Sequence, residues 1–395
     1  MAAHNKPVLI TGIGLLSCLG EGAQHHHDAL MSGASGTIDT ERFAPYPVHA
    51  LGEVDWSQQI SRRDMRQMEP WQQIGTYAAG LALDDAGVKE NEELCGQMDM
   101  IVCAGGGERD VEVDASVLQD ARGKNDVDGL MAERLYNDLR PTLFLAQLSN
   151  LLAGNISIVH KVTGSSRTFM GEEGAGVSAI QTAHARIASG QSDIVLVGGG
   201  YNGEREDMLL LFELGHYALQ GEFKSIWERM EGNGGFATGS VGAFLVLESE
   251  EHAKARGARA YAQLHGVVAD HGKREAGAAT ARMESALECL PVSDETVVLS
   301  GACGVSDITT EENNFLSNNL SNSPVRAYGT ATGHCVETQF PLGIALAALA
   351  VKNDSLYPPL DAHEKPGGDQ VSDVLVTTFG HWRSEGLGLV KRYNG

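Results

Sequence analysis

The sequence predicts an α/β fold built in two similar halves. Three observations carry that reading: strand-like apolar runs alternate with helix-like segments, several runs end in glycines, and the second part of the chain repeats the theme of the first. "PVLITGIGLLS" (7–17), "MDMIVCAGGG" (98–107) and "SDIVLVGGG" (192–200) are continuously apolar, as strands buried on both faces are, and "GAFLVLESE" (242–250) is a further strand. The segments 69–87 and 177–190 between them read as helices. In the second part, 258–270, 295–304, 372–380 and 386–393 read as strands and 341–353 as a helix. The predicted division is 1–255 and 256–395, with no Pro- or Ser-rich linker, so the halves are expected to pack together.

With 42% hydrophobic and 21% charged residues among 395, the chain can bury a large core. A net charge of −23 argues against a nucleic-acid or anionic-membrane partner. No apolar run reaches the ~18–20 residues of a membrane span. The six cysteines form no CxxC pair, and no signal-peptide pattern is read at the start, so reduced thiols and a cytoplasmic location are expected.

"GIGLLSCLG" lacks the third glycine and the following acid of a dinucleotide loop, and no cofactor is expected. His25–His27 are consecutive, point different ways around a helix and read as a solvated face rather than a metal site. Cys303 and Cys335 sit in turns after strands, where a reactive role stays open beside the commoner buried one. "GEEG" (171–174) places Glu172 and Glu173 where a helix begins, a position that lowers a thiol's pKa and suits a nucleophile. The plain reading of both is helix-capping carboxylates.

Four further stretches decide the family resemblance. "VLITGIGLLSCLG", "SDIVLVGGG", "GGFATGSVGAFLVLESEEHAKARGARAYAQL" (234–264) and "ATGHCVE" (331–337) resemble successive motifs of the type II β-ketoacyl-acyl carrier protein synthases, nearly end to end. The resemblance implies a thiolase-like, duplicated, five-layered αβαβα fold. It also implies a cysteine that carries the acyl chain, two histidines that hold the malonyl thioester and a supporting lysine. By motif, the cysteine position falls on Glu173, the first histidine on Ala302 and the lysine on Gly329, while the second histidine is retained as His334. The threonines that grip pantetheine become Gly304 and Ser306, and the final "FGFGGTN" loop becomes "FGHWRSE" (379–385), adding the bulk of His381, Trp382 and Arg383. "ETQF" (337–340) replaces small residues after the histidine, so the site reads as filled in, and Glu173 is placed to pair with His334.

The resemblance therefore implies a catalytically silent subunit, a chain length factor. It would form a heterodimer with an active ketosynthase, meet acyl carrier protein through that complex and shape the acyl tunnel of a polyketide, aryl polyene or fatty-acid-type pathway. Leu143 and Phe144, and Val111 and Glu112, fall at tunnel-wall positions. The dimer strand falls on 165–171, beside an apolar helix at 143–154. A malonyl decarboxylase and a non-catalytic homodimer stay as alternatives.

Overall fold

The computed structural model describes residues 6–293, 295–367 and 370–395. Besides four two-residue strands, five strands of the large sheet come from the first part of the chain: β1 (Val8–Ser17), β2 (Asp99–Cys103), β3 (Ser166–Phe169), β4 (Ile194–Tyr201) and β5 (Val241–Ser249). They lie in the order β3-β2-β4-β5-β1. Five more follow: β6 (Ala262–Asp270), β7 (Val297–Ser300), β8 (Val325–Ala327), β9 (Asp373–Phe379) and β10 (Glu385–Lys391), in the order β8-β7-β9-β10-β6. Numbered within its own set, each reads 3-2-4-5-1. The parallel pairs (β2 with β3 and β4; β7 with β8 and β9) and the antiparallel pairs also fall at equivalent places. The sets join where β1 runs antiparallel to β6, Val8 opposite Leu264.

Helix α1 (Pro70–Asp85) covers the outside of the first set, packed on β1, β4 and β5. Pro70 at its first position and a capping box between Glu69 and Gln72 start it. It lies so close to β1 that a Cβ at Gly14 would sit 2.0 Å from the Ala78 carbonyl oxygen, so only glycine fits there. Between the two sets lie α2 (Glu172–Ala188) and α3 (Gln339–Asn353), which touch each other and strands of both sets. Every residue of α3 from Gln339 to Val351 is buried, the signature of a helix surrounded by protein. Helices Ala278–Leu287 and Ser306–Asn319 cover the far side, completing the expected five layers.

Two expectations need correction. The segment 143–154 is not one helix: Leu143–Ala146 and Leu151–His160 are separate, broken where the Ser149 hydroxyl turns to donate to the Gly105 carbonyl. Of the three histidines, His26 is fully buried rather than solvated. Its rings nitrogens lie 2.8 Å from the Ser17 hydroxyl and 2.8 Å from the Gly22 carbonyl, and burial pushes its pKa down to about 4. β3 pairs only with β2 among the described residues, leaving a free edge with Ser166 and Arg167 exposed and Met170 exposed beyond it. No helix of the described residues is long and apolar enough to cross a membrane.

Candidate functional site

The turn from β3 into α2 is sharp. Gly171 has φ 114° and Glu172 φ 47°, and Glu173 follows as the second residue of the helix. The N-cap residue is Gly171, and both glutamates lie in the first turn, where a negative charge suits the helix dipole. Glu172 points toward Arg383, 3.9 Å away, whereas the fully buried Glu173 carboxylate turns inward. It accepts from His334 Nε2 at 2.9 Å, from the His381 backbone N–H at 3.2 Å and from His381 Nδ1 at 3.0 Å. His334 follows the short helix Gly329–Thr332, and His381 sits in the loop from β9 to β10. Phe236 stacks on His334 with ring centroids 4.5 Å apart and meets the His381 ring edge-on at 5.0 Å.

The electrostatics pull the three groups in different directions. Burial alone would raise the Glu173 carboxyl, but the His381 and His334 rings outweigh it and hold it well below the usual carboxylate range. Burial pulls His381 down, yet Glu173 more than compensates and its pKa is raised. For His334, burial wins and the pKa is lowered. The directions favour a carboxylate at Glu173, bias His381 toward its charged form and bias His334 toward its neutral form. The His334 Nδ1 is buried with no hydrogen-bond partner among the described residues. Backbone strain gathers at the same place. Of the six non-glycine residues with positive φ among those described, Glu172, Val336 and Ser384 lie within three residues of Glu173, His334 and His381. A fourth, His216, precedes Tyr217, which packs edge-on against His381 at 4.8 Å. Such strain costs roughly 1–3 kcal/mol per residue and is typical of functional sites.

This strand–elbow–helix geometry inside a twice-repeated 3-2-4-5-1 sheet is matched by the sequence comparison: residues 5–253 match the family model described as the N-terminal domain of beta-ketoacyl synthase. The chain belongs to the β-ketoacyl synthase family. The 3-oxoacyl-[acyl-carrier-protein] synthase 2 of Vibrio harveyi is 28% identical over 278 residues, which cover 66% of this chain and 62% of that protein. The solved ishigamide ketosynthase/chain length factor is 20% identical, with a TM-score of 0.81, over 99% of this chain and 100% of that one. A type II polyketide acyl-carrier protein in complex with its ketosynthase gives a TM-score of 0.73 at 17% identity, over 98% of this chain and 100% of that one. The fold is the thiolase-like one that the resemblance implied.

In this β-ketoacyl synthase relative, positions 302 and 329 adjoin. A Cβ built at Gly329 would lie 3.6 Å from the Ala302 carbonyl oxygen, both residues are buried, and neither carries a polar side chain. The Ser306 hydroxyl is occupied within the protein, donating to the Arg229 carbonyl at 2.9 Å and accepting from Gly234 N–H at 2.9 Å. Cys303 and Cys335 are fully buried and burial pushes both thiols far up, so neither offers a thiolate. Of the bulky loop residues only His381 fills the interior, and Trp382 stands out in solvent. His381 is the partner that the sequence reading missed. Its signal was a polar ring replacing the second phenylalanine of the "FGFG" pattern, read there as bulk alone.

Glu337 fills space on the other side, reaching to Gly105, where a Cβ would come within 2.6 Å of its carboxylate. Burial raises its pKa to about 7. A raised carboxyl stabilises fully below its unfolded value near 4.5, and that contribution is lost as pH rises through 7. Glu337→Gln keeps the shape without the charge. Chemical denaturation should find it on the order of 1–3 kcal/mol more stable than the parent at pH 8 and equal to it at pH 4.

The four positions expected at the tunnel wall do not converge within this chain. Leu143 is buried, while Phe144 is 64% exposed. Val111 and Glu112 line a cavity of about 580 Å³ together with Glu108 and Arg205, and neither Leu143 nor Phe144 borders it.

Proposed function

We propose that this chain is a non-condensing subunit, of the chain-length-factor kind, that pairs with an active β-ketoacyl synthase. The observation that carries the reading is the buried Glu173–His334–His381 cluster at the start of α2, where the family resemblance expects a free cysteine thiol. A carboxylate there forms no stable thioester, and its two hydrogen-bonding rings leave no open side toward a substrate. Positions 302 and 329, lacking a histidine and a lysine, offer nothing to hold or decarboxylate a malonyl group, which weighs against a decarboxylase. The likeness to a ketosynthase/chain length factor supports the pairing, and the likeness to a ketosynthase bound to acyl-carrier protein supports carrier delivery through the pair. The free edge of β3 is where we place the partner, because an unpaired strand edge is a template for another chain. We also take 1–255 and 256–395 as the two domains.

Co-expression with a ketosynthase that keeps its cysteine and both histidines tests the pairing. The two chains should co-purify, the pair should make β-ketoacyl carrier products, and this chain alone should make none. Product formation by the pure chain, or a stable homodimer that refuses the ketosynthase, overturns the proposal.

In that pair, Leu143 and Phe144 cap the partner's growing acyl chain. Phe144, exposed in the single chain, is available to face a neighbour. A larger side chain at the tunnel end stops growth sooner, since each further methylene would displace packed atoms at ~1–3 kcal/mol. Leu143→Trp should shorten the carrier-bound product and Phe144→Ala lengthen it, read by mass spectrometry. An unchanged distribution from an intact pair would put the ruler elsewhere.

A further inference from the structure

Glu108 is 9% exposed and forms no ion pair among the described residues. Its Oε1 accepts from the Trp71 N–H at 3.0 Å and from Asn202 Nδ2 at 3.1 Å. Its other oxygen, Oε2, accepts no hydrogen bond from any described residue, and it stays open to the cavity that Val111 and Glu112 also border. Burial pushes the Glu108 carboxyl pKa up, so its two hydrogen bonds and the nearby charge of Arg205 do not replace the lost water.

The cations of this cavity are already engaged. Arg42 pairs with Glu204, Arg109 with Asp114 and Arg205 with Asp207. Arg205 is also held by the Gly106 and Gly107 carbonyls, at 3.2 and 3.0 Å. The lining carries five carboxylates against three arginines. Glu112 and Glu206, exposed at the rim, form no ion pair among the described residues, so with Glu108 three carboxylates of the lining stand without one.

The remaining wall is apolar. Trp56, Pro70, Ile74 and Val111 border the same space. Trp56 meets Tyr77 edge-on at 5.5 Å, which holds its ring in place. Phe43, in the same lining, already carries the Arg42 guanidinium 4.3 Å from its ring centre, so the aromatic part of this wall seats a cation. The cavity, about 580 Å³, opens to solvent at the exposed Arg109, Glu112 and Glu206, which gives a small molecule both room and a way in.

We propose that this cavity binds a small aliphatic amine, with its ammonium group on Glu108 Oε2 and its hydrocarbon along Ile74, Pro70 and Trp56. An ammonium donates the hydrogen bond that Oε2 lacks and supplies the missing positive charge, and such charge-assisted bonds are the strong ones. An alcohol meets only the first need, and a carboxylate meets neither. The site is read from this chain alone and does not rest on the non-condensing reading.

The test is calorimetric titration of the full chain at pH 8 and constant ionic strength with n-butylamine, with n-butanol and butyrate as arms of the same length. The amine should bind saturably at one site, and the alcohol and the carboxylate at least about tenfold more weakly. Glu108→Gln keeps an acceptor for Trp71 and Asn202 while removing the charge, and should weaken the amine at least about tenfold. No binding of the amine, equal binding of amine and alcohol, or amine binding unchanged in Glu108→Gln overturns the proposal. Should that variant fail to fold, Val111→Trp decides, because it fills the cavity from a half-buried helix position and leaves Glu108 in place. Loss of amine binding there supports the site, and its retention refutes it.

Discussion

Glu173→Cys is expected to remain inactive, with β-ketoacyl product at least about 10⁴-fold below an intact ketosynthase. Catalytic groups that act as a unit fail as a unit: losing one member already removes most of the rate. Here the new thiol would stand beside His334 and His381, but neither lies where the family's malonyl-holding histidine and lysine are expected. Ala302 and Gly329 still supply no group to hold the malonyl carbonyl or stabilise the enolate that decarboxylation leaves. Adding Ala302→His and Gly329→Lys tests the same logic in reverse. A Cβ at Gly329 meets nothing closer than 3.4 Å, so the backbone admits a side chain there. The measurement is carrier-bound product from acyl and malonyl thioesters by mass spectrometry. Robust condensation by Glu173→Cys alone would mean that other residues of this chain handle malonate, and the non-condensing reading would fall.

How far the sequence disclosed this site depended on what kind of signal each residue carried. The strands were legible because burial on both faces forces continuous apolar runs, as in β1, β4 and β5. The repeated architecture followed from their spacing, and Glu173 and His334 followed from the motifs around them. His26 was misread because three histidines in a row look like a polar face, yet the helix turns only the middle one onto Ser17. The break in 143–154 falls at Ser149 and Asn150, a polar pair that favours helix starts, but the apolar run around it hid that signal, and the Ser149 bond to Gly105 shows only in the fold. His381 is 208 positions from Glu173, and apart from the lost phenylalanine its local sequence does not show that a loop histidine will fold back onto a helix start.

His334→Ala with His381→Ala is expected to destabilise the chain by about 3–5 kcal/mol, the penalty for stranding one charge of a buried pair. Glu173 would keep only the His381 backbone N–H as a partner, in a site with no solvent access. Adding Glu173→Met, an apolar side chain of similar reach, should recover most of the loss, because the cost lies in the unpaired charge rather than in the missing rings. The pH dependence has a definite sign. Glu173 has a depressed folded pKa, so its contribution is present above the unfolded value near 4.5 and is lost as pH falls through the lower folded value. His381 has a raised folded pKa, so its contribution is full below 6.5 and is lost as pH rises through the raised value. The ion pair therefore stabilises most between about pH 4.5 and 6.5. His334 acts in the opposite sense, since its lowered pKa keeps it neutral in the fold while the unfolded chain takes up a proton below 6.5. The discriminating comparison is the parent against Glu173→Gln/His381→Gln, with His334 untouched, by urea denaturation from pH 4 to 9. The stability difference should be largest in the window between the two unfolded values and shrink on both sides. A difference flat across that range would show that Glu173 and His381 meet as neutral hydrogen-bonding groups and that no charge is stored at the head of α2.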